Sequence, residues 1–228
     1  MSNGMLQGRV AIITGAGTGL GRAAAIDFAR EGANVVLLGR RLGKLEETAA
    51  LVEQTGSGSK PLIMVCDISD PAAVEAAVGQ AIEVFGTVDI LVNNAATLEP
   101  GRVIELTAGE WARQISNNLT GPFLMTNAVL PVMRNERYGR IINITSGLAL
   151  NGAGGYAAYS ASKAGLESLT RTTADEEQEH GILVNAFNPG TIRSEMHATG
   201  KDPHQVTADL VRLAALPVGG TTGSIVAY

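Results

Sequence analysis

Tyr159 and Lys163 are four residues apart, so a helix carrying them brings a phenol and an ammonium onto one face. A free tyrosine titrates near ~10, and a neighbouring cation stabilises the phenolate and lowers that value towards useful acid–base work. The spacing therefore predicts a Tyr159 of depressed pKa. Ordinary helix surfaces carry the same pair, so its weight comes from its companions. These are Ser146, upstream of the pair, and a glycine-rich turn near the N-terminus.

That turn reads Gly15-Ala-Gly-Thr18-Gly19-Leu20-Gly21, between the apolar run 10–14 and a helical stretch over 22–30. Glycines in such a place let the chain bend tightly and bring backbone N–H groups to a diphosphate at a helix N-terminus. Gly15, Thr18, Gly19, Leu20 and Gly21 are the candidate contacts. A second buried run, 34–38, ends at Gly39-Arg40-Arg41, with no carboxylate before Glu46. An NAD site places Asp or Glu here for the ribose 2′-hydroxyl, whereas an arginine suits a 2′-phosphate. Arg40 thus favours NADP(H) over NAD(H); a pair of solvated loop arginines is the plain alternative.

The elements that must position these groups follow from periodicity. Short β-branched runs over 10–14, 34–38, 60–66, 88–93, 140–145, 182–187 and 224–228 alternate with helical stretches. Asp70-Pro71 reads as N-cap and first residue of a helix ending near Phe85, and Thr107 with Glu110 as a capping box. Helical material from there to Met133 is expected to break near 117–122, and a long helix runs over 159–179 to Gly181. Residues 55–59 form a turn, and the tail before 224 is polar and short. The economical architecture is α/β: one Rossmann-type doubly wound parallel sheet of about seven strands, helices on both faces, as a single unit over 1–228. Its two halves meet near Asp89. Thr14, Gly39, Asp67, Asn93, Ser146 and Pro189 all fall at C-terminal strand ends, where such sheets bind ligands.

Composition excludes several classes. In 228 residues, 45% are hydrophobic and 17% charged, enough for a core and too apolar for a disordered chain. A formal net charge of −5, with no basic run, argues against nucleic acid as partner. One cysteine, Cys66, leaves no internal disulfide and reads as a buried thiol. His180, His197 and His204 are too scattered for a metal site. No stretch reaches the ~18 apolar residues of a membrane span, and a cytoplasmic protein is expected. Trp111 reads as a core residue beside Ile115, or as a pocket wall. The acidic run 175–179 reads as a solvated helix end.

Taken together, Thr14-Gly-x3-Gly-x-Gly21, Asn93-Asn-Ala95, Asn118, Ser146, Tyr159-x3-Lys163 and Asn188-Pro-Gly190 resemble the short-chain dehydrogenase/reductase family, in its order and at its spacings. The subgroup they look most like is the NADP-dependent ketone and 3-oxoacyl reductases. The resemblance implies hydride transfer between NADP(H) and a carbonyl or secondary alcohol. Tyr159 would be the general acid or base, with Lys163 on the nicotinamide ribose lowering its pKa. Ser146 would hold the substrate oxygen, and Asn118 a water that relays protons to Lys163. It further implies that Asp67, with Ile68 beside it, meets the adenine. Asn94 would meet a ribose in the Asn94-Ala95 turn, and Pro189, Gly190 and Ile192 would line the nicotinamide. A homodimer or homotetramer through the two long helices is also implied.

This chain departs from the family pattern in three places. Ala96 stands where a glycine is common. Residues 191–224 are a shortened lid, which predicts a more open pocket. His180, preceded by acidic residues, replaces a basic residue before the glycine that ends the catalytic helix; such a surface would repel an acidic acyl carrier protein, so a free small molecule is the expected substrate. Residues 149–155 and 191–204 would read that substrate, with Leu148, Leu150 and Met196 as an apolar patch. Two rivals remain: a non-catalytic NADP(H)-binding sensor or scaffold, and a sugar-nucleotide epimerase or dehydratase, for which the substrate domain is too short.

Overall fold

The computed structural model describes residues 4–56 and 60–228; of the turn expected over 55–59, residues 57–59 lie outside the described residues. Strand β1 (Val10–Thr14) leads through the glycine turn into α1 (Gly19–Arg30), then β2 (Asn34–Gly39), α2 (Leu42–Glu53) and β3 (Leu62–Val65). The second half runs α3 (Pro71–Phe85), β4 (Ile90–Asn93), α4 (Ala108–Ile115), α5 (Gly121–Glu136) and β5 (Gly139–Ile144). It continues with α6 (Leu148–Asn151), α7 (Ala157–Glu177), β6 (Ile182–Asn188), α8 (Thr207–Ala214) and β7 (Ile225–Ala227).

All seven strands pair in parallel in the order β3-β2-β1-β4-β5-β6-β7. Side chains alternate between two apolar cores, one on each face, because successive strand residues point to opposite sides. In β1, Ala11 and Ile13 join Phe28 of α1, Val52 of α2 and Leu210 of α8, while Val10 and Ile12 join Val78 of α3, Met125 of α5 and Ala174 of α7. The expected doubly wound sheet is therefore present, and its order reverses between β1 and β4. Asp70 caps α3 by accepting from the Ala72 amide, and the Thr107–Glu110 capping box forms at α4.

The interruption expected near 117–122 is a π turn, Ser116–Thr120, between α4 and α5. Three expectations need correction. The tail is not merely polar: α8 buries Leu210, Val211, Leu213 and Ala214, the inward face of an amphipathic helix packed on α1. Trp111 is 42% exposed and lines neither core nor cleft. The acidic run is not all solvated either. Glu177 is buried and takes a two-pronged hydrogen bond from Arg134 at 2.8 and 2.6 Å, which gives that carboxylate the partner its place near a helix C-terminus requires.

Candidate active site

A cleft of about 720 Å³ opens along the C-terminal ends of the strands. Its floor at the β1 end is the glycine turn. Gly15 has φ 66°, and a Cβ there would stand 2.9 Å from the Ala95 Cα, so the turn and the strand β4 exit approach as only glycine allows. Gly21 lies behind the turn, where a Cβ would meet the Gly15 carbonyl at 2.4 Å. It therefore packs the helix onto the turn and does not line the cleft, unlike Gly15, Thr18, Gly19 and Leu20. The Thr18 side chain makes no capping hydrogen bond to α1, so that helix end meets the cleft uncapped by a side chain.

Other groups hold this floor rigid. The Thr14 hydroxyl accepts from the Asn94 and Ala95 amides at 3.0 Å each, and the Asn94 side-chain amide donates to the Thr14 carbonyl at 2.9 Å. Asn94 thus fastens the turn as well as lining the cleft with Ala95. Arg22 and Thr48 had no signal in the sequence. Arg22 donates to the Gly17 carbonyl at 2.6 Å, and the Thr48 hydroxyl to that of Ala16 at 3.0 Å. Ala96 needs no positive φ; among the described non-glycine residues only Arg137 has one. The methyl group is accommodated without backbone strain.

At the β2 end Arg40 and Asp67 line the cleft 3.9 Å apart, with Ile68 beside them. Burial pushes the Asp67 carboxyl up, but hydrogen bonds from Ser69 and the Arg40 charge outweigh it and hold it below the usual range. Cys66 is buried as expected, and its thiol is pushed up to about 11 by burial and then by Asp67 and Asp70, which leaves it unreactive near neutrality.

The reactive end lies between β5 and α7. Tyr159, Lys163 and Ser146 all line it. The Lys163 ammonium is fully buried, donates to the Ile144 carbonyl at 2.7 Å, and sits 5.7 Å from the Tyr159 ring centroid. Burial lowers its pKa to about 8. The expected depression of Tyr159 does not hold: burial raises its pKa, and the opposing influence is a hydrogen bond from Ser146, not the Lys163 charge. The physical reason is that both groups are desolvated and the ammonium is directed at a backbone carbonyl. Ser146 in turn accepts from the Leu148 amide at 3.3 Å.

Asn118 does not reach the cleft. It lies buried in the π turn, accepting from the Thr97 amide and donating to the Thr97 carbonyl, both at 2.8 Å, and donating to Ser162 at 3.2 Å. Its side chain therefore anchors the loop after β4. The neighbouring Asn117 lines the cleft instead. Such π turns recur at functional sites because they shift the helix register by one residue.

Pro189, Gly190 and Ile192 line the cleft, with Leu148 and Met196 forming an apolar wall; Leu150 is outside it and exposed. Among the described residues no His, Cys, Asp or Glu cluster could hold a metal ion, and no helix is long and apolar enough to cross a membrane. The uncapped helix start, the glycine cradle and Arg40 fit a phosphate-bearing dinucleotide, with the phenol at the far end.

Comparison with known proteins agrees with this geometry. Residues 9–204 match the short chain dehydrogenase family. Over 96% of the chain and 94% of the relative, it is 38% identical to the (2S)-[(R)-hydroxy(phenyl)methyl]succinyl-CoA dehydrogenase subunit BbsD of Thauera aromatica. It is 40% identical to levodione reductase of Leifsonia aquatica, over 82% of the chain and 71% of the relative. With the 3-oxoacyl-[acyl-carrier-protein] reductase FabG of Escherichia coli it shares 34%, over 96% and 86%. A crystal structure of levodione reductase superposes with a TM-score of 0.93, at 31% identity over 97% of this chain and 96% of that one.

Proposed function

The chain belongs to the short chain dehydrogenase family, and from that premise we propose that it is an NADP(H)-dependent oxidoreductase. It interconverts a carbonyl and a secondary alcohol on a free small molecule. The observation that carries this is the gathering of Tyr159, Ser146 and Lys163 at one end of a cleft whose other end holds the glycine turn and Arg40. When bound, the nicotinamide supplies or takes up the hydride. The glycine turn would hold its diphosphate, Asp67 and Ile68 its adenine, Arg40 its 2′-phosphate, and Pro189, Gly190 and Ile192 the nicotinamide.

The residues do the proton chemistry. Tyr159, whose pKa burial raises, delivers a proton to the carbonyl oxygen as the neutral phenol in reduction and removes it as the phenolate in oxidation. Ser146 donates to that oxygen as charge develops on it, which favours the transition state over the ground state. Lys163, held by Ile144 at the same end of the cleft, would meet the nicotinamide ribose. Asn118 supports this at one remove, by holding Thr97 at the wall of the cleft. A pure binder has no use for a buried ammonium beside a phenol, since burying that charge opposes folding.

The unit is a homo-oligomer in this reading, supported by the exposed Trp111 of α4 and Phe123 of α5. Incubation with NADPH and a panel of ketones, β-ketoesters and diketones, followed at the nicotinamide absorbance band, tests the activity. No turnover across that panel would overturn it.

A further inference from the structure

The segment after β6 crosses back over the mouth of the cleft. A Cβ added to Gly19 would stand 2.9 Å from the Ser194 Cβ, so this strap lies directly against the glycine turn. It is closed on itself: the Ser194 amide donates to the His197 carbonyl at 2.8 Å, and the Ser194 hydroxyl accepts from the Met196 and His197 amides. That turn presents Glu195 to Arg41, whose guanidinium donates to it at 2.7 Å. The two residues lie 154 positions apart in sequence. Both line the cleft at the end where Arg40 sits.

The charges at this end decide what the contact does. Arg22, Arg40, Arg41 and Lys44 stand at this end against Glu47, Asp67 and Glu195, which leaves one positive charge in excess. A phosphate monoester carries about −1.5 to −2 near neutral pH. Brought in with Glu195 in place, it turns this end net negative; with Glu195 displaced, the charges match. A ribose 2′-hydroxyl carries no charge and makes no such demand. The Glu195 carboxyl is held below its usual range by the Arg41 hydrogen bond, with the Arg41, Lys44 and Arg22 charges adding to it against burial, so it is ionised when a cofactor arrives.

We propose that Glu195 is a cofactor-specificity residue: a carboxylate of the chain itself that competes with the 2′-phosphate of NADP(H) for Arg41, and so sets how strongly the cleft prefers NADP(H) over NAD(H). The inference rests on the cleft being a dinucleotide site, but not on which dinucleotide wins. Arg40 meets the phosphate whichever way the strap lies, its own carboxylate partner being 3.9 Å away. Arg41 is available only when Glu195 lets go.

The experiment is a titration of NADPH and of NADH, read by nicotinamide fluorescence, into the wild-type protein and the Glu195→Gln variant. Glu195 is exposed at 53% of its side chain, so the amide folds without difficulty, and a thermal melt checks it. NADPH should bind about 3- to 10-fold tighter to the variant, with NADH changed less than ~2-fold, the scale of one exposed ion pair removed from competition plus its charge. In an Arg41→Gln background the same Glu195→Gln change should give a smaller gain, because the competition for Arg41 is gone and only the charge of Glu195 remains to be removed. An equal change for both nucleotides, or weaker NADPH binding, would overturn the inference. Wild-type protein that prefers NADH, with a variant moved towards NADPH, would overturn the NADP assignment and uphold Glu195. Wild-type protein that binds neither nucleotide would overturn both.

Discussion

The Lys163 ammonium and the Ile144 carbonyl are joined by a 2.7 Å hydrogen bond sealed inside the protein. One helical turn further along α7, Glu167 accepts from the Thr145 hydroxyl at 2.8 Å, and one turn earlier Tyr159 interacts with Ser146. Three consecutive residues leaving β5 are thus held by three residues spaced four apart on one face of α7. The serine hydroxyl and the phenol are kept in register by the contacts that flank them.

Replacing the phenol should separate chemistry from binding. Tyr159→Phe is expected to lower kcat for ketone reduction by about 10²- to 10⁴-fold, the range for a lost general acid. Its NADPH affinity, measured by fluorescence titration, should stay within about 2-fold, since the hydroxyl is not part of the dinucleotide cradle.

Ser146 is the group that opposes the upward push of burial on Tyr159. Alcohol oxidation needs the phenolate, so its rate rises with pH as Tyr159 loses its proton. Ser146→Ala should move that rising limb to higher pH and lower the plateau by about 10²-fold, the scale of a lost oxyanion donor. A pH–rate profile of both proteins with a secondary alcohol reads it; an unmoved limb would sever Ser146 from the phenol.

Lys163 titrates near 8 when folded, against 10.5 as the ordinary value. Between those limits the unfolded chain binds more protons than the folded one, so this group makes stability rise with pH across that window and contributes no slope below it. Lys163→Met removes the titration. Urea unfolding at pH 7.5 and 10 should therefore show the wild type gaining on the variant as pH rises, with the other groups common to both cancelling.

Glu167 touches no reacting atom and acts through Thr145. Glu167→Gln keeps an acceptor for the Thr145 hydroxyl and should retain kcat within ~2-fold, whereas Glu167→Ala should lower kcat about 3- to 10-fold, the scale of one net hydrogen bond, with KM for the ketone little changed. A loss shared equally by both variants would mean that the contact does not position Ser146.

Arg134 is half exposed while its partner Glu177 is buried. Arg134→Met strands the buried Glu177 carboxylate and should destabilise the fold, seen as a lower midpoint in chemical denaturation. A double change, Arg134→Met with Glu177→Met, should recover part of that loss in chemical denaturation, because an apolar pair can replace an ionic one at small cost.

Local signals in the sequence determined a good deal of this protein. Apolar β-branched runs between helical stretches specified the strands, since burial on both faces of a parallel sheet requires continuous apolarity. Asp70-Pro71 and Thr107-x-x-Glu110 marked true helix starts because a cap is a contact among neighbours in sequence. The glycine turn, Tyr159, Ser146 and Lys163 were readable as a set because each sits at a strand exit or a helix turn whose position follows from periodicity.

The tertiary structure decided whatever depends on which side chains meet and how dry they become. Desolvation, not charge, governs Tyr159, and no spacing along one helix reveals how deeply that helix is buried. Asn118 turned inward because the π turn rotates it towards Thr97, while Asn117, chemically its twin, took the cleft. α8 was too short to announce itself and became a helix by packing on α1. Arg134 found Glu177, and Arg41 found Glu195, across 43 and 154 residues. Such pairings form only once the sheet has brought distant segments together.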